Sequence, residues 1–284
     1  MTTDTNHDRV SMGPAGNQWH YYPRERLYDL TRSSSSTASD DDDGSGTTDH
    51  DIEAALTIRT TAGPPDTRIA LAPGRTALVI VDMQNFFLHP RCRDHPTGRA
   101  AVAPLLQVVA NCRAAGIQTD HLAQLGPDRR RPGRAARRRG ARLRPDDAAA
   151  PGGWVYEGAL AGAVRRSANE NDADDAADAD LLCHKNRISG LVADGPLSLR
   201  HALRARPHLQ TLLFAGVNTD QCVLGTLADA YNGGWDCVAV ADCCATTTPH
   251  GQATTLWNVA NSYGFVIDSG TFADGVRAYT VRTE

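Results

Sequence analysis

The sequence feature that most constrains the fold is the unbroken apolar run Thr76–Val81, which reads TALVIV. A strand with one solvated face alternates apolar and polar residues, whereas this run is β-branched and apolar almost throughout. It therefore predicts a strand buried on both faces, as in a parallel sheet covered by helices. Asp82 follows at once, so a carboxylate stands at the carboxyl end of this strand. In open α/β sheets that edge is where ligands bind.

Other short apolar runs predict further strands, and segments with helical spacing separate them. The strands are expected at residues 181–185, 212–215, 237–242 and 265–268, and the helices at residues 100–115, 196–205, 224–231 and 248–263. This alternation predicts an α/β fold, a three-layer sandwich with a mostly parallel central sheet and helices on both faces. Residues 117–122 make a poor strand.

Composition shifts divide the chain into three parts. Residues 1–32 form an N-terminal arm rich in aromatic residues, which can pack across the domain or a neighbouring subunit. Residues 33–69 begin with a Ser- and Asp-rich stretch that cannot bury a core, so they are expected to be a disordered acidic insert or linker. Residues 70–284 form the folded domain, with irregular insertions at about 117–150 and 168–180.

The insertion at 117–150 contains an arginine-rich run, residues 129–144, without apolar periodicity. Three explanations fit: a solvated insertion loop, a phosphate-binding arm, or translation of GC-rich codons in the wrong frame. Arginine clusters bind nucleic acid electrostatically, but no aromatic residues are interleaved here for stacking on bases. With a net charge of −4 and no apolar run of membrane-spanning length, we expect a cytoplasmic protein without nucleic-acid or membrane partners.

Three residues whose side chains could take part in a reaction stand at the ends of three predicted strands. They are Asp82, Lys185 and Cys222. Strand ends of a parallel sheet lie along one edge, so these side chains can converge. Cys222 also begins a helix, where the helix dipole favours a thiolate. A thiolate attacks a carbonyl carbon if a base takes the thiol proton and donors receive the oxyanion. Asp82 is the candidate base, Lys185 would hold both groups by charge, and the backbone N–H groups of Asn218 and Cys222 would be the donors.

Each of these residues also has a purely structural interpretation. A cysteine is more often a small buried hydrophobe than a nucleophile, and the other six are interpreted in this way, namely Cys92, Cys112, Cys183, Cys237, Cys243 and Cys244. Asp82 alone fits a turn or cap, and Lys185 alone fits a surface lysine. Asp120 and His121 are adjacent, and with His89 and His95 they make only a weak metal site. We predict no metal and no cofactor.

Three segments resemble one known family. They are Val79–Phe87 (VIVDMQNFF), His184–Gly190 (HKNRISG) and Ala215–Val223 (AGVNTDQCV). They are similar to the isochorismatase-like cysteine hydrolases, which include nicotinamidases and the amidohydrolases of N-carbamoylsarcosine, ureidoacrylate and biuret. The resemblance covers about residues 76–115 and 181–272. The stretch at residues 242–249 and the aromatic arm are most similar to the ureidoacrylate and biuret type.

The resemblance implies a catalytic triad of Asp82, Lys185 and Cys222, and a cis peptide bond at Val217–Asn218. It implies hydrolysis of a linear, non-peptide C–N bond in a small amide or ureide, through a thioester on the cysteine. Members that cleave the isochorismate vinyl ether lack this cysteine, so its presence argues against that activity. The family commonly forms dimers or tetramers, and we expect a homodimer or homotetramer.

Four more residues are candidates for the substrate pocket. Gln84 and Phe87 follow Asp82 in the family motif, and Arg187 and Ser189 lie just beyond Lys185, where they would bind a carboxylate or ureido group. A solvent-facing loop is the other interpretation of the second pair. The alternative to an enzyme is a catalytically inactive binding or scaffold protein with this fold, because the irregular residues 116–153 should supply a strand and pocket walls.

Overall fold

A computed structural model describes residues 9–14, 17–32, 55–90, 95–124, 180–192 and 195–283. Within these ranges the strands are β1 (Val10–Met12), β2 (Trp19–Tyr22), β3 (Leu27–Asp29), β4 (Leu56–Arg59), β5 (Arg68–Leu71), β6 (Thr76–Val81), β7 (Gln118–Gln124), β8 (Leu181–Lys185), β9 (Thr211–Val217), β10 (Asp236–Ala245) and β11 (Gly264–Ile267). They form two sheets.

The α-helices of the described residues connect these strands. They are α1 (Asn85–Leu88), α2 (Pro96–Ala100), α3 (Val102–Ala114), α4 (Leu199–Arg204), α5 (Leu224–Asn232), α6 (Gly251–Asn258) and α7 (Ser269–Thr283). A π-helical turn, Thr219–Val223, precedes α5, and another, Val259–Tyr263, follows α6. No helix of the described residues has the length and hydropathy needed to cross a membrane.

The larger sheet has six strands in the order β11-β10-β9-β6-β7-β8, and each neighbouring pair is parallel. Side chains of β6 alternate between two hydrophobic clusters. Leu78 and Ile80 join one that includes α3 and α7, whereas Val79 and Val81 join one that includes α4 and α5. Successive side chains of a strand point to opposite faces. The helices therefore cover both faces, and the predicted three-layer sandwich is confirmed.

Strand β7 differs from the sequence-based expectation of a poor strand and an insertion from about residue 117. It pairs in parallel with β6 on one side and β8 on the other. Its apolar pattern is hidden because Thr119 and Asp120 are both buried. Asp120 is neutralised by Arg206, whose Nη2 lies 2.7 Å from Oδ2 and whose Nη1 lies 3.2 Å from Oδ1. A buried ion pair thus occupies a position where the strand pattern predicts an apolar side chain.

The smaller sheet has the order β1-β2-β3-β5-β4. Its neighbouring pairs are antiparallel except β3 with β5. The expected arm at 1–32 and linker at 33–69 both contribute strands to it, so the linker expectation does not hold for residues 55–69. These strands have only three or four residues, too few to display a period of two. Residues 33–54, the basic run at 129–144, residues 168–179 and Cys92 lie outside the described residues.

The smaller sheet is fastened to the domain by β4 and the aromatic ring of Tyr28. Helix α7 crosses β4 so closely that a Cβ at Gly275 would lie 2.7 Å from the Thr57 carbonyl oxygen. Arg282 Nη2 donates to the Ala55 carbonyl at 2.9 Å. Tyr28 meets Phe265 of β11 edge-on, with ring centroids 5.0 Å apart. The aromatic arm therefore packs on its own domain.

Candidate active site

The structure brings Asp82, Lys185 and Cys222 together at the carboxyl edge of the larger sheet. Lys185 Nζ lies 2.9 Å from Asp82 Oδ2 and 3.4 Å from Cys222 Sγ. Asp82 follows β6, Lys185 ends β8, and Cys222 lies in the π-helical turn after β9. β9 adjoins β6, and β8 is two strands further along. The long lysine side chain spans the position of β7 to reach both partners.

Lys185 is the centre of this cluster. Its side chain and that of Asp82 are 0% exposed, and Nζ also donates to the Arg187 carbonyl at 3.1 Å. An unpaired charge in such a place would be costly, so the ammonium and the carboxylate depend on each other. The interpretation of Lys185 as a surface lysine does not hold.

Burial, and after it the negative charge of Asp82, raise the pKa of the Cys222 thiol to about 12. The charge of Lys185 lowers the thiol pKa, but burial is the larger influence. At neutral pH the resting group is therefore a thiol near a carboxylate, which differs from the thiolate that a helix start alone would favour.

The other described cysteines are buried, as expected from their interpretation as small hydrophobes. Burial likewise raises the thiol pKa of Cys183 and Cys244 to about 12. Burial alone thus does not distinguish Cys222. Among the cysteines that the structure describes, contact between the sulfur and a lysine ammonium does.

The backbone at Asp82 is unusual, because its φ of 54° lies in the left-handed region. Non-glycine residues seldom adopt this conformation, although aspartate tolerates it better than most. Gln84 N donates to the Asp82 carbonyl at 2.8 Å, and Gln84 is the N-cap residue of α1. Gln84 is fully buried, and Phe87 is buried against Phe86, with ring centroids 4.9 Å apart. Both predicted pocket residues therefore lie directly after the carboxylate.

The other two predicted pocket residues, Arg187 and Ser189, differ in their exposure to solvent. Arg187 is exposed, and its Nη1 donates to the Asn186 carbonyl at 3.0 Å. Ser189 is buried, and its Oγ accepts from Leu191 N at 3.1 Å, which makes it a turn residue. The backbone carbonyl of Arg187 accepts a hydrogen bond from Lys185 Nζ, while its guanidinium lies at the surface.

Strand β9 enters the site through Gly216, at a φ of 124°. A Cβ there would lie 2.0 Å from the Val81 carbonyl oxygen, so only glycine fits. The second peptide bond after Gly216, Val217–Asn218, is cis, at the position that the family resemblance implies. The π-helical turn that carries Cys222 begins immediately afterwards.

His95 is a site residue that the sequence analysis weighed only as a metal ligand. Its Nδ1 accepts a hydrogen bond from Gly98 N at 2.9 Å, so the ring hydrogen is on Nε2. Nε2 lies 2.8 Å from Asn218 Oδ1 and donates to it. His95 immediately precedes α2 and caps it, a position usually taken by Ser, Thr, Asp or Asn. Because histidine is not a typical N-cap residue, the sequence does not indicate this role. The hydrogen-bond partner of its Nε2, Asn218, is 123 residues away and leaves no local pattern either.

Two further contacts anchor the turn before Cys222. Thr219 Oγ1 donates to Gln252 Oε1 at 2.5 Å, and Thr246 Oγ1 donates to Asp220 Oδ1 at 2.6 Å. Thr246 in turn accepts from Thr97 Oγ1 at 3.1 Å through its carbonyl. The turn is thus held from α6, from the end of β10 and from α2.

Within the described ranges, no group of three or more His, Cys, Asp or Glu side chains is arranged to hold a metal ion. The carboxylate of Asp120, considered above as a metal ligand, is engaged by Arg206.

The isochorismatase domain model matches residues 76–271. The ureidoacrylate amidohydrolase RutB of Stutzerimonas stutzeri is 28% identical over 229 residues, which are 74% of this chain and 86% of that protein. A RutB protein of Methylorubrum extorquens is 29% identical over 223 residues, 72% of this chain and 84% of that one.

Solved structures share the fold. A cysteine hydrolase from Pseudomonas syringae superposes with a TM-score of 0.57 and 21% identity, over 73% of this chain and 95% of that one. The nicotinamidase PncA from Bacillus subtilis gives a TM-score of 0.54 and 22% identity, over 68% and 99% of the two chains.

Proposed function

The chain belongs to the isochorismatase family, and from this premise we propose that it hydrolyses linear C–N bonds in a small amide or ureide, with Cys222 as the nucleophile. The observation that carries the proposal is the buried contact of Lys185 Nζ with both Asp82 Oδ2 and Cys222 Sγ. The ammonium of Lys185 thus lies within hydrogen-bonding distance of both the proposed nucleophile and the proposed base, at the sheet edge where ligands bind in such folds.

The first half of the reaction forms a thioester. Asp82 takes the proton of Cys222 as the sulfur attacks the carbonyl carbon, because a thiol with a pKa of about 12 is a poor nucleophile unaided. The backbone N–H groups of Asn218 and Cys222 are the proposed donors to the oxyanion. When the tetrahedral intermediate collapses, the C–N bond breaks and the nitrogen leaves with the proton held by Asp82.

The second half hydrolyses the thioester. Asp82, again a carboxylate, takes a proton from water as the water oxygen attacks the acyl carbon. The C–S bond breaks, the acid is released, and the proton returns to the sulfur. Lys185 donates no proton in this scheme; its positive charge stabilises the carboxylate and the developing thiolate.

Thiol labelling tests the nucleophile. Because Asp82 can take the proton of Cys222, iodoacetamide at neutral pH should modify this cysteine much faster than the rest, and Cys222→Ala should abolish that fast phase. Cys183→Ala is a matched control, since burial raises the thiol pKa of Cys183 as well but, among the described cysteines, only the sulfur of Cys222 contacts the Lys185 ammonium; this variant should retain the fast phase. Slow and indiscriminate labelling of all cysteines would contradict the nucleophile.

An ammonia-release screen tests the reaction. Relatives named for ureidoacrylate suggest that compound first, with biuret, N-carbamoyl amino acids and nicotinamide beside it. We expect turnover of at least one, a loss of at least about 10³-fold in Cys222→Ala, and a loss of about 10²- to 10⁴-fold in Asp82→Asn. Turnover that survives Cys222→Ala would refute the mechanism. No turnover of any compound would favour the inactive scaffold.

A further inference from the structure

The side-chain amide of Asn218 is held in one orientation by His95. An amide can present either its oxygen or its nitrogen, and hydrogen bonding decides which. Because Gly98 N–H occupies Nδ1 of His95, the imidazole can offer only a donor at Nε2. The Asn218 oxygen must therefore face His95, and the NH₂ group faces away from it.

This NH₂ group is still open to a partner. Nδ2 of Asn218 makes no hydrogen bond to any residue that the structure describes. It is also absent from the fully buried side-chain atoms of the described residues that have no hydrogen-bond partner. Asn218 is half-buried, so the described residues leave part of its side chain uncovered. The NH₂ group belongs to the residue whose backbone N–H is a proposed oxyanion donor, two residues after Gly216.

We propose that Asn218 Nδ2 donates to an acceptor oxygen of the substrate other than that of the scissile carbonyl. The substrate is then a ureide or amide that carries a second carbonyl or a carboxylate near the cleaved bond. This inference rests on the proposed function and narrows its substrate class. A site built to hydrogen-bond a substrate group rejects analogues lacking that group, because the donor is left unpaired.

His95 is the positioning residue of this arrangement. It touches neither the substrate nor a reacting atom, but it fixes the amide that binds the substrate. Thr97 Oγ1 donates to the Thr246 carbonyl at 3.1 Å. The segment His95–Thr97 therefore contacts both the residue before the π-helical turn, through Asn218, and the residue that holds Asp220, through Thr246. The donor should therefore stay in place during turnover without rearrangement.

The test compares two substrates in the full-length protein. One is the best substrate of the ammonia-release screen, and the other is its analogue in which the second acceptor oxygen is replaced by hydrogen or methyl. Asn218→Leu keeps the side-chain shape and removes the donor, and Asn232→Leu, on the exposed face of α5, is the matched control. His95→Phe removes the Nε2 donor, and His95→Gln retains a donor.

We expect Asn218→Leu to lower kcat/KM at least tenfold for the substrate and less than twofold for the analogue, with Asn232→Leu unchanged for both. His95→Phe should follow Asn218→Leu, and His95→Gln should restore most of the loss. An equal loss on both compounds, or a best substrate without a second acceptor, overturns the inference while leaving the proposed function intact. Absence of turnover in the unmodified protein instead removes the proposed function, and this inference with it.

Discussion

Replacing Lys185 by methionine should destabilise the protein far more than replacing any surface cation. The ammonium lies 2.9 Å from Asp82 Oδ2 and 3.1 Å from the Arg187 carbonyl, and neither charged side chain is exposed to solvent. Methionine has nearly the same length and fills the space of the lysine stem, so cavity formation contributes little. The substitution therefore isolates the loss of the charge.

The expected loss follows from the burial of the remaining carboxylate. Removing one partner of a buried ion pair costs about 3–5 kcal/mol, because the other charge is left without compensation. For a domain of this size each 1 kcal/mol shifts Tm by about 2–4 °C, so Tm should fall by roughly 6–20 °C. The double variant Asp82→Asn, Lys185→Met removes both charges and should regain at least about 2 kcal/mol relative to Lys185→Met.

Urea unfolding followed by circular dichroism measures these free energies. Arg277→Met is the control, because its ion pair with Asp274 is 76% and 70% exposed and is worth about 0–1 kcal/mol. If Lys185→Met costs no more than Arg277→Met, or if the double variant is less stable than Lys185→Met, the carboxylate does not depend on the ammonium and the reasoning fails.

Three further predictions concern stability. Gly216→Ala places a methyl group against a carbonyl at a positive φ and should cost at least about 3 kcal/mol by urea unfolding, whereas Gly74→Ala, with open space around it, should be nearly neutral. Asp242→Ala removes the acceptor at the start of α7, 2.9 Å from Ser269 N, and should cost about 1–2 kcal/mol by the same assay; an unchanged value would show that the cap is not needed. Burial raises the thiol pKa of Cys112, so the native state holds its proton when the unfolded chain loses it. The free energy of unfolding should then fall as pH rises above about 8.5, by up to about 1.4 kcal/mol per pH unit for each such cysteine. In Cys112→Ala it should fall less steeply. Urea unfolding in the presence of a reductant between about pH 8 and 10.5 measures this difference in slope.

The central sheet was predictable where burial leaves a continuous apolar run. β6, β8 and β9 were located in this way, and with them the strand ends that carry Asp82 and Lys185. β7 was not, because Asp120 is buried as an ion pair with a residue far along the chain. Such long-range compensation leaves no local pattern.

The remaining differences have the same origin. The strands of the smaller sheet are too short for periodicity, and what defines them is pairing between residues on either side of the acidic segment, as in β3 with β5. His95 was undervalued because its role depends on Asn218. Sequence patterns report the face that a residue buries, but they do not report which distant group accepts its hydrogen bond.

The packing of α7 on β4 has a consequence for synthesis on the ribosome. Leu56 and Ile58 of β4 are buried, and the Gly275 region of α7 lies directly over them. About 200 residues separate the two elements, so at ~5–20 residues per second the helix emerges about 10–40 s after the strand that it covers. During that interval the apolar face of β4 lacks the cover that α7 provides, and we expect the nascent chain to expose there an apolar surface of the kind that chaperones bind.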